Sequence, residues 1–510
     1  MSRERGILID GDSLTLDGLR RICFDREKVF IDENVRAKIA KARAVVEQAA
    51  HSNELVYSIN TGFGILSKVR IAPHQLDELQ LNIIRSHCCN VGEAHSEVES
   101  RALLCLRANV LAKGHSGVRV ELVDLLLEML NRGVHPVVPV KGSVGSSGDL
   151  SPLAHLASVL IGEGEAFYEG KRMAGKSALA SAGLQPIRLA AKEGLSLING
   201  TQQMTTMAAL QLLRAEALVD LADLTCSATL EGILGSPRAF AGWIQEARPY
   251  EGQKRTAANL RRFMESSEIY QSHLKCDRVQ DPYSVRCAPQ VHGAARDLID
   301  FARRTVQVEL NAATDNPLVN AESNEIVSGG NFHGQPIAFA LDIMGMAVAE
   351  LGSISERRIV KLLNPVFSEL PTFLIENEGL NSGLMIPQYT AAHLVVENRV
   401  LSHPASTDSI PTNNDKEDHN SMGPIAAHKL KTILTNAEYI LAIEALTACQ
   451  ALEFRRPLQP GIGPRFLHRM VRAKVAPLVR DRYLAPDIEA VAELFRSGEI
   501  HRLAQKEGLL

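Results

Sequence analysis

The segment Lys141-Gly142-Ser143-Val144-Gly145-Ser146-Ser147-Gly148-Asp149-Leu150-Ser151-Pro152 is the part of this chain whose residue types could do chemistry unaided. Three readings compete for it. A phosphate-binding loop needs a lysine after its last glycine, and here Asp149 puts negative charge where phosphate would sit. A hydrolase nucleophile elbow needs G-x-S-x-G, and Gly145-Ser146-Ser147-Gly148-Asp149 lacks the final glycine. The plain alternative is a flexible turn before a helix. The flanks add that Ser151 is predicted as an N-cap and Pro152 as the first residue of a helix through Leu160. The loop then lies at a helix N-terminus, where partial positive charge favours developing negative charge. A small tripeptide flanked by glycines could also fold back tightly enough for its own backbone to react.

The run from Gly142 to His155 resembles the signature of the aromatic amino acid ammonia-lyases. In that family an Ala-Ser-Gly tripeptide cyclises autocatalytically to the electrophile 4-methylidene-imidazol-5-one (MIO). The resemblance implies that the Gly148 nitrogen attacks the Ser146 carbonyl and that loss of two waters turns Ser147 into the methylidene, with no external cofactor. Ser146 stands where the family usually has alanine. Its side chain lies outside the ring-forming atoms, so cyclisation is expected to survive and leave a hydroxymethyl group beside the ring. The chemistry gives a reason for such a group. Ammonia leaves poorly, the β-proton is weakly acidic, and no ordinary side chain is a strong electrophile.

Further segments match the same family. Tyr57-Ser58-Ile59-Asn60-Thr61-Gly62-Phe63-Gly64 resembles the loop of its catalytic tyrosine, which makes Tyr57 the implied base for the β-proton. Asn199-Gly200-Thr201-Gln202 matches its N-G-T motif and places Asn199 beside the ring and the amino acid. In Gln280-Asp281-Pro282-Tyr283-Ser284-Val285-Arg286, Arg286 would grip the substrate carboxylate with its planar fork, with Gln280 and Tyr283 lining the site. Thr314-Asp315-Asn316-Pro317 and Gly329-Gly330-Asn331-Phe332-His333 are also family-like, with Phe332 expected near the carboxylate and ring. Taken singly, Tyr57 would pack a loop, Asn199 would make a turn and Arg286 would be a solvated charge. The segments together carry the assignment.

Two positions bear on the substrate. His87 occupies the site facing the substrate ring and resembles histidine and tyrosine lyases. Glu417, in Asn413-Asn414-Asp415-Lys416-Glu417, aligns with the glutamate of the histidine-specific members. A carboxylate accepts an imidazole N–H, whereas a phenyl ring would leave its charge unpaired. Met385 could complete the wall by soft packing. The resemblance thus implies elimination of ammonia from L-histidine to trans-urocanate. The alternatives are a tyrosine or other aromatic amino acid ammonia-lyase and a histidine 2,3-aminomutase, which re-adds ammonia at the β-carbon; they use similar motifs. Lys416, Asn413-Asn414-Asp415 and His333-Gly334-Gln335-Pro336 depart from the usual histidine-lyase pattern.

These residues need a scaffold. The first half of the chain is mixed: a strand-like start over 6–16, helical segments near 33–50 and 74–93, and a longer helix pattern from Glu99 to Arg132. Val134-His135-Pro136-Val137-Val138-Pro139-Val140 then breaks helicity. From about residue 203 long helices are predicted over Met204–Leu234, Val291–Ala313, Ile337–Leu363 and Ala426–Phe454, rich in Ala and Leu at three- and four-residue steps. The predicted fold is mainly α, with a mixed N-terminal region at 1–202 carrying the loop. A long helical bundle with C-terminal helices at 203–510 follows, and the whole forms one catalytic unit of ammonia-lyase/fumarase-like architecture. The resemblance implies a homotetramer whose active sites are each built from three subunits. The fumarase/argininosuccinate-lyase group is the rival enzyme class, but its G-S-S-x-M-P-x-K-x-N loop is not matched. The third reading is a non-catalytic helical scaffold.

The resemblance implies a small aromatic amino acid as the partner, and composition excludes other classes. A net charge of −4 over 510 residues, with scattered arginine pairs, speaks against a nucleic-acid surface. Apolar runs are short and broken by charge, which predicts no membrane span. Met1–Gly6 lacks the apolar region of a signal peptide. Eight cysteines without a C-x-x-C pair predict reduced thiols in a cytoplasmic protein, and sixteen dispersed histidines without H-E-x-x-H predict no metal site.

Overall fold

Alanine- and leucine-rich sequence builds four long helices in the computed structural model: Gln202–Gly232, Ala288–Glu309, Gln335–Leu363 and Gly423–Phe454. The structure describes residues 6–52 and 54–510, so Met1–Arg5, most of the N-terminal stretch bearing on a signal peptide, lies outside the described residues. The chain groups into two compact units. The first comprises Met1–Leu210, Arg304–Leu341 and Ala405–Ala427; the second comprises Gln211–Arg303, Asp342–Pro404 and His428–Leu510.

Among the described residues every strand belongs to the first unit. Ile7–Leu8 pairs parallel with Val29–Phe30, and Val91–Ala94 pairs antiparallel with Pro139–Lys141. His135–Pro136, Glu165–Tyr168 and Lys171–Ala174 form a three-stranded sheet, and Leu318–Asn320 pairs with Glu325–Val327. The second unit is helical. Small residues let its helices approach closely: a Cβ on Gly232 would lie 2.7 Å from Leu362, and one on Gly352 3.0 Å from Ile440. At its centre Glu444 accepts from Arg358 (2.5 and 2.8 Å), Thr229 (2.8 Å) and Ser355 (2.6 Å), all buried. The fold is mainly α, a mixed N-terminal region followed by long bundle helices.

Four expectations change. The helix predicted over Glu99–Arg132 is two, Glu97–Ala112 and Val120–Arg132, because Gly114 and Gly117 take left-handed φ values of +78° and +68°. The segment near 74–93 is helical only over Leu76–His87 before the strand at Val91. Ser151 begins the Ser151–Leu160 helix rather than capping it; its hydroxyl donates to the His87 carbonyl at 2.7 Å. Among the described residues one helix, Gln335–Leu363, is long and apolar enough to cross a membrane, contrary to the expected short runs, and 67% of its most apolar stretch is buried inside the protein.

Candidate active site

The glycine-serine loop is clamped from both ends. Gly145 adopts φ +74°, where a Cβ would lie 2.2 Å from the Ser421 hydroxyl, and that hydroxyl donates to the Gly145 carbonyl at 3.2 Å. The Met422 amide donates to Val144 O at 2.9 Å. Gly148 adopts φ +71° in a parallel bridge with Gly200, and a Cβ there would lie 2.2 Å from Gly200 O. The bridge engages the Asp149 amide (2.6 Å to Gly200 O) and the Ser147 carbonyl (3.4 Å from Gly200 N), not the Gly148 nitrogen. Only glycine fits here, and its amide is left for other use.

Asn199 fixes the middle of the tripeptide. It follows the short Glu193–Ile198 helix in extended conformation and is 1% exposed. Its Nδ2 donates to Asp315 Oδ1 and Asn316 O, both at 3.1 Å. The amide oxygen is therefore turned to the Ser147 hydroxyl, which donates to it at 2.6 Å. Beneath lies a buried charge network: Lys192 pairs with Asp315 at 3.0 Å, and Arg107 Nη1 donates to Ser196 O (3.2 Å) and Asn199 O (2.9 Å). Burial draws the Arg107 guanidinium down to about 10, against the opposing Asp315 and Asp149 charges. Asp149 closes the N-terminus of the Gln202–Gly232 helix, accepting from the Gln203 (2.5 Å) and Met204 (3.3 Å) amides. Burial pushes its carboxyl up to about 8 even so.

Tyr57, His87 and Glu417 share this unit with the loop. Buried Ile59 packs with Val46, Leu76 and Val319, while the Asn60 side chain accepts from the Val56 amide (2.9 Å) and donates to Glu54 O (2.8 Å). These contacts hold the Tyr57 turn, and the Gly64 amide donates to the Tyr57 phenol at 3.3 Å. Burial raises the phenol pKa, the Gly64 amide lowers it, and the Glu417 charge raises it further. His87 ends the Leu76–His87 helix with Nδ1 at 2.8 Å from Ile83 O. Burial lowers its pKa, against that carbonyl and the Glu417 charge. In the neutral ring Nδ1–H donates to Ile83 and Nε2 is an acceptor.

Glu417 owes its place to a tight turn. Asn413, Asn414 and Asp415 all take positive φ (+53°, +52°, +60°), a conformation that Asn and Asp tolerate best after glycine. The turn folds Glu417 back onto Thr412 in an antiparallel bridge. Thr412 donates to Glu417 Oε2 at 3.0 Å and Asn413 to Oε1 at 3.0 Å, and the Ser146 hydroxyl also donates to Oε2. Phe332 lies half-buried in a turn, next to His333, which stacks on His419 at 5.7 Å.

The first unit thus brings Glu417 and Asn199 to the Ser146-Ser147-Gly148 tripeptide through hydrogen bonds from Ser146 and Ser147, with Tyr57 and His87 within reach of the Glu417 charge. Gln280, Tyr283, Arg286 and Met385 belong to the second unit. There Arg286 sits 4.7 Å over the Tyr283 ring, which is 72% exposed, and Arg286 Nε makes no hydrogen bond among the described residues. Gln280 is exposed, and Met385 opens the Met385–Leu401 helix half-buried. Thr412, Asn413, Asp149 and Arg107 were not anticipated as site residues. The first three adjoin singled-out motif residues, whereas nothing in the local sequence marks Arg107. Among the described residues no group of three or more His, Cys, Asp or Glu side chains could hold a metal ion.

Comparison with known proteins matches this architecture. A histidine ammonia-lyase of Myxococcus xanthus is 55% identical over 500 residues, covering 98% of each chain. The crystal structure of histidine ammonia-lyase from Trypanosoma cruzi superposes with a TM-score of 0.91 at 43% identity, covering 98% of this chain and 95% of that one. A tyrosine aminomutase from Streptomyces globisporus gives 0.93 at 39% identity, covering 99% of each chain. The aromatic amino acid lyase family matches residues 14–473. This chain belongs to the aromatic amino acid lyase family.

Proposed function

We propose that this protein is a histidine ammonia-lyase, eliminating ammonia from L-histidine to give trans-urocanate. The observation that carries this reading is Glu417, a carboxylate at the tripeptide whose charge reaches both Tyr57 and His87. An imidazole N–H satisfies such an acceptor, whereas a phenyl ring would bury it unpaired. The names of the relatives agree.

Ser146-Ser147-Gly148 would form the methylidene-imidazolone ring autocatalytically, and that group would supply the electrophile that improves the amine as a leaving group. The loop suits that group: Gly148 admits no side chain, its nitrogen is outside the Gly200 bridge, and Asn199 holds the Ser147 hydroxyl. Tyr57 removes the β-proton once its phenol is deprotonated. His87 offers Nε2 to the substrate ring, Glu417 accepts the imidazole N–H, and Arg286 forks onto the substrate carboxylate beside Tyr283 and Gln280. Phe332 and Met385 supply apolar wall.

The assembly in this reading is a homotetramer with active sites shared between subunits. The exposed stripe Ile386, Tyr389, Val396 and Val400 along one face of the Met385–Leu401 helix supports burial against another copy. All eight cysteines are free, which suits a cytoplasmic setting.

Separate incubation with L-histidine, L-tyrosine and L-phenylalanine tests the reading, following unsaturated-acid absorbance and β-amino acid products, with intact-mass measurement of the chain. Urocanate from histidine and a chain lighter by two waters are expected. Turnover confined to tyrosine would refute the role of Glu417. The likeness to a tyrosine aminomutase favours one second reading, a 2,3-aminomutase, for which β-histidine would be the main product.

A further inference from the structure

We propose that the Ser146 side chain is a specificity device: its hydroxyl positions the Glu417 carboxylate so that one acceptor site remains for the substrate's ring N–H. The proposal rests on the histidine reading above. A carboxylate offers about four lone-pair sites. Glu417 Oε2 receives two hydroxyl donors, Ser146 and Thr412, and these two hydroxyls lie 3.2 Å from one another. Oε1 receives Asn413 Nδ2 at 3.0 Å. Among the described residues three of the four sites are filled, and the fourth, on Oε1, is left for a ligand.

The arrangement is held from two directions. Thr412 and Asn413 belong to the turn that carries Glu417 itself, so they move with it. Ser146 is the donor that comes from the reactive loop, 271 residues away in sequence. The backbone just before it is pinned by the hydrogen bonds of Ser421 to the Gly145 carbonyl and of Met422 to the Val144 carbonyl. Ring closure consumes backbone atoms of Ser146 and leaves its Cβ and Oγ in place. The hydroxyl therefore ties the group that selects the side chain to the group that reacts with the amine, and sets the distance between them. An alanine would leave the ring chemistry intact while freeing Oε2 of one donor and Glu417 of its tether.

Ser146 is thus a positioning residue that acts through Glu417, and a double-mutant cycle reads that dependence. Kinetics on L-histidine are compared for the wild type, Ser146→Ala, Glu417→Gln and the double variant, with calorimetric histidine affinity where turnover is too slow. Ser146→Ala is expected to keep the loss of two waters, raise KM for histidine about 5- to 20-fold and change kcat less than about threefold, the effect of one charge-assisted hydrogen bond. In the Glu417→Gln background the same change is expected to cost less than about twofold. An unaltered KM, an undiminished effect in that background, or failure of Ser146→Ala to lose two waters each overturns the proposal. A wild type that does not turn over histidine overturns the functional reading as well, and needs no variant to be seen.

Discussion

A phenol is a base only after it has lost its proton, and the surroundings of Tyr57 make that loss harder. Burial raises its pKa and the Glu417 charge adds to this, with only the Gly64 amide opposing. A raised pKa keeps the acid form dominant through neutral pH, so kcat/KM for histidine should climb through the alkaline range. A profile flat above neutrality would remove Tyr57 as the base. Tyr57→Phe should lower kcat by roughly 10²- to 10⁴-fold with little change in KM; steady-state kinetics on histidine check this. At this scale the sequence was informative through family resemblance. Tyr57, Asn199, His87 and Glu417 were all named from short motifs, yet which hydrogen bonds they make was not legible. Asn199 shows why. Its orientation is set by Asp315 and Asn316, more than a hundred residues further on.

Elements place these groups by ending where they do. The Leu76–His87 helix stops at His87, the Glu193–Ile198 helix delivers Asn199, and Asp149 caps the helix that follows. Burial of that cap has a consequence for stability. With its pKa moved from 3.8 to about 8, folded Asp149 keeps a proton that the unfolded chain releases between those pH values. Stability contributed by this group therefore falls as pH rises from about 4 to about 8, by about 1.4 kcal/mol for each pH step of one within that window. Asp149→Asn has no such pH dependence. Thermal melts should show the variant gaining on the wild type across that window, and a constant difference would mean Asp149 titrates as an ordinary carboxyl. Helix periodicity located the ends of the long helices to within four residues. It missed the break at Gly114 and Gly117 because apolar spacing continues across two glycines whose positive φ only the packed chain requires.

At the scale of the molecule, composition foresaw a large aliphatic helical protein but not how segments combine. The first compact unit recruits 304–341 and 405–427 from late in the chain. Those segments bring Asp315, Phe332 and Glu417 to the unit that holds the tripeptide. The exposed face of the Met385–Leu401 helix belongs to this scale too. Val400 is 70% exposed and Tyr389 60%, in line with Ile386 and Val396. If the face is covered by another copy, Val400→Glu should lower the solution mass measured by light scattering and reduce turnover while helical circular dichroism is retained. An unchanged mass would release this face from the assembly.

What the sequence determined by itself is the Ser146-Ser147-Gly148 tripeptide as the candidate reactive group, the family motifs around it and the helical character of the scaffold, because each depends on residue type and short-range spacing. Tertiary structure alone decided that the Ser146 hydroxyl meets Glu417 and that Arg107 lies buried behind Asn199. Contacts across such separations are set by packing of distant segments, and neither composition nor periodicity encodes which segments those will be.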